Sequence, residues 1–219
     1  MLIEARHVGV TIDNRPIIEN QSLACTPGTM TGLVGPSGSG KTTLLHALGL
    51  LQPITTGEIT ADGRVISGAS PRRRRRYWRD HAAFVLQDYG IIDDESVAFN
   101  VTLRTDRGRR RDDGRLLGTL ARVGLESVAG EPASHLSGGE KQRLAVARAM
   151  YREASVLLID EPTASLDAEN RRRVIDLFTD FARGGATVVV ATHDDAMMDA
   201  CDHLHRLRSA QPAPTAAAH

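Results

Sequence analysis

An α/β fold, with a mainly parallel sheet flanked by helices and an antiparallel β layer at the amino end, is predicted by three observations in this 219-residue sequence. The apolar run Met30-Thr31-Gly32-Leu33-Val34, a glycine-rich loop and the segment Thr42-Thr43-Leu44-Leu45-His46-Ala47-Leu48 read in order as buried strand, turn and helix. A second apolar run, Val156-Leu157-Leu158-Ile159, ends abruptly in two carboxylates and a proline. Strand-like segments at residues 2–11, 17–24 and 57–66 alternate in polarity, as a half-exposed antiparallel layer does.

The first glycine loop carries the strongest chemistry. Gly35-Pro36-Ser37-Gly38-Ser39-Gly40-Lys41-Thr42-Thr43 fills the pattern G-x-x-x-x-G-K-[ST] between strand and helix, which makes a nucleoside triphosphate the first ligand to consider. Glycines let successive backbone N–H groups turn toward one anion, and the helix start adds positive potential at that point. Lys41 places a charge on the β- and γ-phosphates, and the Thr42 hydroxyl offers one oxygen to a magnesium ion.

Asp160-Glu161-Pro162 closes the second strand. Two adjacent carboxylates at the end of a buried strand are costly unless a cation or a reaction uses them. Side chains alternate along a strand, so the two acids are aimed differently. Asp160 is the candidate for holding magnesium, and Glu161 for deprotonating the water that attacks the γ-phosphate.

A third pattern, Leu136-Ser137-Gly138-Gly139-Glu140, opens the apolar-periodic segment 144–150. Ser137 is placed as a helix N-cap, and the two glycines let an anion approach the backbone closely.

In this order the phosphate loop, Leu136-Ser137-Gly138-Gly139-Glu140 and Leu158-Ile159-Asp160-Glu161-Pro162 resemble the ATPase subunits of ABC transporters, over nearly residues 1–208. The resemblance implies a P-loop NTPase core with ATP and Mg2+ as its ligands, and a helical signature subdomain inserted at about residues 88–152. It further implies a head-to-tail dimer with a second copy or a paralogous ATPase. There Leu136, Ser137, Gly138, Gly139 and Glu140 of one subunit cover the ATP held by residues 35–43 of the other.

Three further positions match the family. Gln87, after the strand Ala83-Phe84-Val85-Leu86, resembles the glutamine that touches magnesium or the attacking water and relays to the membrane subunit. His193 resembles the switch histidine that bonds the γ-phosphate and positions the water of Glu161, and Asp167 resembles the residue that contacts the opposite subunit. One family feature is missing. Where an aromatic ring usually stacks on adenine, this chain has Ile12, which covers a base face without the aromatic contribution.

The resemblance implies integral membrane permease subunits as partners and a place on the cytoplasmic face of the membrane. The segment from Leu86 to Val101 resembles the macrolide-export, lipoprotein-release and bacteriocin-export branch, which predicts an exporter or extruder. A cell-division ATPase of the same fold, driving a membrane protein without moving a solute, stays open as an alternative. So does a soluble ABC protein acting on ribosomes or DNA, although the chain shows neither paired ATPase domains nor a long coiled coil.

Composition agrees with one domain: 41% hydrophobic and 25% charged residues supply a sizeable core, and the formal net charge is zero. That balance does not resemble a dedicated nucleic-acid binder, and none is expected as partner. Cys25 and Cys201 have no metal-ligand spacing, which suggests a reducing compartment. No apolar run reaches the roughly 18 residues that span a bilayer, so the chain is expected in the cytoplasm, meeting the membrane through its partner.

The positive charges are almost all arginine; the only lysines are Lys41 and Lys141. One cluster is Arg72-Arg73-Arg74-Arg75-Arg76 with Arg79, and a second lies within residues 104–111. Either is a solvated helix face, and the first is open to a second use against an anionic leaflet. The segment 116–125 reads as a helix ended by Gly124, and residues 209–219 read as a disordered tail.

Overall fold

The computed structural model describes residues 1–86, 90–103, 113–163 and 166–208. Two sheets form, and which residues join each follows from how completely a strand is apolar. β3 (Met30–Val34), β7 (Val156–Asp160) and β8 (Thr187–Ala191) are buried along their whole length. With β6 (Ala82–Val85) and β9 (His203–Arg206) they make a parallel sheet in the order β6-β7-β8-β3-β9. Strands covered on both faces have no solvent side, and therefore lose the polar alternation of half-exposed ones.

The alternating segments build the second sheet. β1 (Ile3–Ile12), β2 (Arg15–Cys25), β4 (Thr56–Ala61) and β5 (Arg64–Val65) are antiparallel in the order β2-β1-β4-β5. The sequence predicted one strand over 57–66; the structure instead breaks it into β4 and β5 at Asp62 and Gly63. Both have positive φ, 47° and 74°, the backbone of a two-residue hairpin turn.

Helix α1 (Lys41–Leu48) lies between the two sheets. Its Leu44, Leu45 and Leu48 pack with Ile3, Val8 and Ile59 of the antiparallel layer and with Val156 and Leu158 of the parallel one. The close fit at its end is made by Gly49, where a Cβ would come within 2.5 Å of the Phe84 ring and 2.6 Å of Leu158. The opposite face of the parallel sheet, carrying Val85, Leu157, Ile159 and Val190, is covered by α5 (Gly138–Tyr151) and α6 (Ala168–Arg183).

The remaining helices are α2 (Pro71–Asp80) before β6, α3 (Val97–Thr102) and α4 (Asp113–Val123) between β6 and α5, and α7 (Asp195–Asp199) before β9. Gly124, at φ 67°, ends α4. Among the described residues no helix is long and apolar enough to cross a membrane. The second arginine cluster, Gln87 and the tail lie outside the described residues.

The segment that follows Gln87-Asp88-Tyr89 is organised by a fully buried asparagine. Asn100 accepts from the Ile92 amide at 2.9 Å and donates to the carbonyls of Ile92, at 2.9 Å, and Ser96, at 3.1 Å. From α5, Arg148 donates to the Asn100 carbonyl (2.8 Å) and to the Gly90 carbonyl (2.9 Å), and Lys141 meets Asp93 at 2.6 Å. The chain just past Gln87 is thereby tied to the helix that begins with the Ser-Gly-Gly pattern.

Candidate active site

Parallel strands deliver their carboxyl ends to one edge of a sheet, and that edge is where an α/β fold gathers its ligands. Here β7, β8 and β3 are neighbours, so residues that follow them in sequence meet in space.

After β3 comes the phosphate loop, with Gly38 at φ 76° and Gly40 at φ 90°. Gly40 is the N-cap of α1 and supplies no side-chain acceptor to the helix start, and the first turn contains no acid. A side chain at Gly40 has no room, because its Cβ would lie 2.3 Å from Ile18. The Ser39 hydroxyl is buried and finds no hydrogen-bond partner among the described residues. Lys41 is buried to 7% exposure, and its Nζ donates to the carbonyls of Gly35 (3.0 Å) and Pro36 (3.1 Å). First-turn amides without a side-chain cap, a buried hydroxyl and a cation in one loop are the donor set that phosphate oxygens need.

Asp160 ends β7 and accepts a hydrogen bond from the Thr42 hydroxyl at 3.0 Å. Burial pushes its carboxyl above the usual range and the charge of Glu161 adds to the rise, while the Thr42 hydrogen bond, His46 and Lys41 oppose it. A half-buried carboxylate beside a hydroxyl oxygen suits a hard divalent cation, whose charge would offset the cost of burying the ionised group. The residues present therefore fit Mg2+.

Glu161 faces elsewhere. Its backbone has φ 46°, a conformation that L-residues rarely adopt and that costs on the order of 1–3 kcal/mol. Its amide, donating to the Ala191 carbonyl at 2.9 Å, holds it there. The twist turns the carboxylate toward His193, which follows β8 and whose Nδ1 lies 2.7 Å from Glu161 Oε2. The Glu161 side chain is 21% exposed and that of His193 68%, so the pair opens on solvent. A carboxylate oriented by an imidazole beside a phosphate-binding loop can accept a proton from water.

The Ser-Gly-Gly element stands on a different helix. Ser137 caps α5 in a full capping box: its hydroxyl accepts from the Glu140 amide at 3.4 Å, and Glu140 Oε2 accepts from the Ser137 amide at 2.9 Å and hydroxyl at 2.7 Å. Those hydrogen bonds hold the Glu140 carboxyl below its ordinary pKa. Leu136 anchors the turn in the core, whereas Ser137 and Gly138 are exposed. The Ser137 hydrogen bonds lie within the helix start, on a different element from the phosphate loop.

Asp167 is the N-cap of α6, accepting from the Asn170 amide (2.8 Å) and side-chain Nδ2 (2.7 Å), which lowers its carboxyl pKa. Ile12 sits at the end of β1, 39% exposed, before the turn of Asp13 and Asn14. Gln87 comes after β6 in sequence and lies outside the described residues.

Two residues in this region were not singled out by the sequence. Asn170 also accepts from Arg143 Nη1 at 2.9 Å, and a Cβ on Gly139 would come within 3.1 Å of its side chain. It joins the cap at Asp167 to the start of α5 within one subunit. Arg148 was the other; its signal was a charge lodged between Ala147 and Ala149 in an otherwise apolar run.

Comparison with known proteins gives one family. The profile described as "ABC transporter" matches residues 18–164. The lipoprotein-releasing system ATP-binding protein LolD 1 of Caulobacter vibrioides is 37% identical over 215 residues, covering 91% of this chain and 89% of its own. The macrolide export ATP-binding/permease protein MacB of Escherichia coli is 34% identical; the match covers 94% of this chain and 32% of that longer protein. Among solved structures, the dimeric post-hydrolysis state of the ATP-binding cassette MJ0796, bound to ADP and Pi, superposes with a TM-score of 0.82. It is 28% identical, with 94% of each chain covered.

Proposed function

The chain belongs to the ABC transporter family of ATP-binding proteins, and we propose that it is the ATPase subunit that powers a membrane extruder of the lipoprotein-release or macrolide-export kind. Membership makes it an ATP-binding ATPase. What supports the finer reading is the likeness to the LolD and MacB proteins over 91% and 94% of this chain, and what supports the ATPase role is the meeting of the phosphate loop, Asp160, Glu161 and His193 at the ends of three adjacent strands.

In the proposed cycle the backbone N–H groups between Ser37 and Thr42, with the Lys41 side chain, bind the β- and γ-phosphates. Thr42 and Asp160, with Gln87, would hold Mg2+, which supplies positive charge to the phosphate oxygens. Glu161, held by His193, takes the proton of the attacking water. Ser137, Gly138 and Gly139 of a second copy cover the γ-phosphate, and Asp167 lies at the same contact. ATP joins the two subunits, and loss of the γ-phosphate removes the ligand that joined them.

Adenine is contacted by Ile12 in this scheme. Ile12→Tyr is expected to tighten ATP binding by roughly fivefold or more, the low end of an aromatic stacking contribution, in an equilibrium nucleotide titration. Affinity that is unchanged or lower takes Ile12 away from the base.

The membrane assignment is tested by co-expressing the tagged chain with the permease encoded beside it and solubilising both in detergent. The two are expected to co-purify, and Mg-ATP turnover to respond to the permease. A permease of four spans with a large extracytoplasmic domain supports extrusion; a many-span permease with a separate binding protein overturns it in favour of import.

A further inference from the structure

Helix α2 breaks two local rules, and among the described residues only Asp80 offsets part of the cost. Its first turn holds Arg72 and Arg73 and no acid, although positive charge is disfavoured at a helix amino end. Arg72, Arg75, Arg76 and Arg79 then fall three or four positions apart, as like-charged neighbours that repel. Arg72, Arg73, Arg75, Arg76 and Arg79 are all exposed. Among the described residues one carboxylate answers them: Asp80 meets Arg79 Nε at 2.7 Å and Arg76 Nε at 3.4 Å, which holds its pKa down. Among the described residues Arg72, Arg73 and Arg75 meet no carboxylate.

The platform under these charges is firm. Tyr77 is buried against Leu50 and Ala82, and Trp78 Nε1 donates to the Gly49 carbonyl at 2.7 Å. Arg152 donates to the Arg79 carbonyl at 2.8 Å, and Arg74 turns inward over the Trp78 ring. Pro71 starts the helix. The guanidinium groups are thus presented on an already ordered helix, and local costs only partly offset mark an external ligand.

We propose that α2 docks on the anionic phospholipid headgroups of the bilayer beside the membrane partner. The nearness of a bilayer rests on the proposed membrane complex; the choice of ligand rests on α2 itself. Guanidinium groups match phosphate oxygens in bidentate geometry. Tyr77 is buried and the Trp78 indole is committed to Gly49, so neither offers the stacking surface that single-stranded nucleic acid takes. A formal net charge of zero gives no long-range field to gather polyanions, whereas a local basic patch suffices at a membrane surface.

The test floats the purified full-length chain, without permease, on phosphatidylcholine vesicles with and without phosphatidylglycerol. Flotation is expected only with the anionic lipid and is expected to weaken as salt rises. Replacing Arg72, Arg73, Arg75 and Arg76 together by Gln is expected to lower partitioning by about 10²-fold or more, at roughly fivefold per arginine. The same variant keeps its Mg-ATP turnover and its thermal midpoint, since like-charge repulsion has been removed.

Equal flotation of the variant, or of the wild type on neutral vesicles, overturns the proposal. So does competition by a DNA oligonucleotide at equal phosphate concentration, which assigns the surface to nucleic acid. Absence of flotation, joined to loss of permease co-purification in the variant, assigns it to an acidic protein segment instead. Failure of the membrane-complex assignment is read separately, in detergent, where no bilayer is present.

Discussion

Glu161→Gln is expected to lower Mg-ATP turnover by about 10²–10⁴-fold while preserving ATP-dependent dimerisation. The substitution keeps the volume of the side chain and an oxygen that can accept from His193 Nδ1, 2.7 Å away, so the pair stays in register. What it removes is the basic carboxylate. A glutamine also lifts one negative charge from beside Asp160, whose carboxyl that charge pushes up, and so favours the ionised form that would hold a cation. The dimer should therefore form and persist. Phosphate release measures the first effect, and size-exclusion chromatography with saturating Mg-ATP the second. Normal turnover removes Glu161 from the proposed role of base, and a variant that stays monomeric even with its permease removes the shared-nucleotide dimer.

The second large effect is expected from Lys41→Ala, which should lower turnover and ATP affinity on the order of 10²–10³-fold, as loss of a charge-stabilising donor does. Unlike Glu161→Gln, it is expected to abolish ATP-dependent dimerisation, because the nucleotide that bridges the subunits is no longer held. Lys41 also donates to the Gly35 and Pro36 carbonyls, so truncation frees two acceptors in a loop that is partly exposed. Circular dichroism and the thermal midpoint separate loss of ligand from loss of fold. Undiminished ATP binding by a folded variant overturns the proposed contact. Together the two substitutions give one outcome for turnover and opposite outcomes for assembly, which a general loss of stability cannot imitate.

Much of the architecture was legible because its signals are local. Residues 30–34 and 156–159 run without polar alternation, and both lie in buried parallel strands. Ser137 caps α5, as its place before the periodic segment predicts, and the structure adds Glu140 to complete a capping box. The missed hairpin at Asp62 and Gly63 also carried a signal, the Asp-Gly pair, which the alternation around it obscured.

Other features had no local trace. Thr42 and Asp160 are far apart in the chain and 3.0 Å apart in space. Asn170 looked like an ordinary first-turn residue, yet it bonds both Asp167 and Arg143. The left-handed backbone of Glu161, which sends its carboxylate to His193, follows from pairing with Ala191 on the adjacent strand.

By itself, then, the sequence determined the chemical inventory: where glycine frees the backbone, where a lysine and hydroxyls await phosphate, where two acids stop a strand, and which segments are strand or helix. Only the tertiary structure decided how that inventory converges, since the strand order β6-β7-β8-β3-β9 sets side by side residues that no periodicity connects. The physical reason is range. Backbone conformation and capping are settled within a few residues, whereas a parallel sheet joins distant strands through hydrogen bonds and side-chain packing that only the folded chain can bring together.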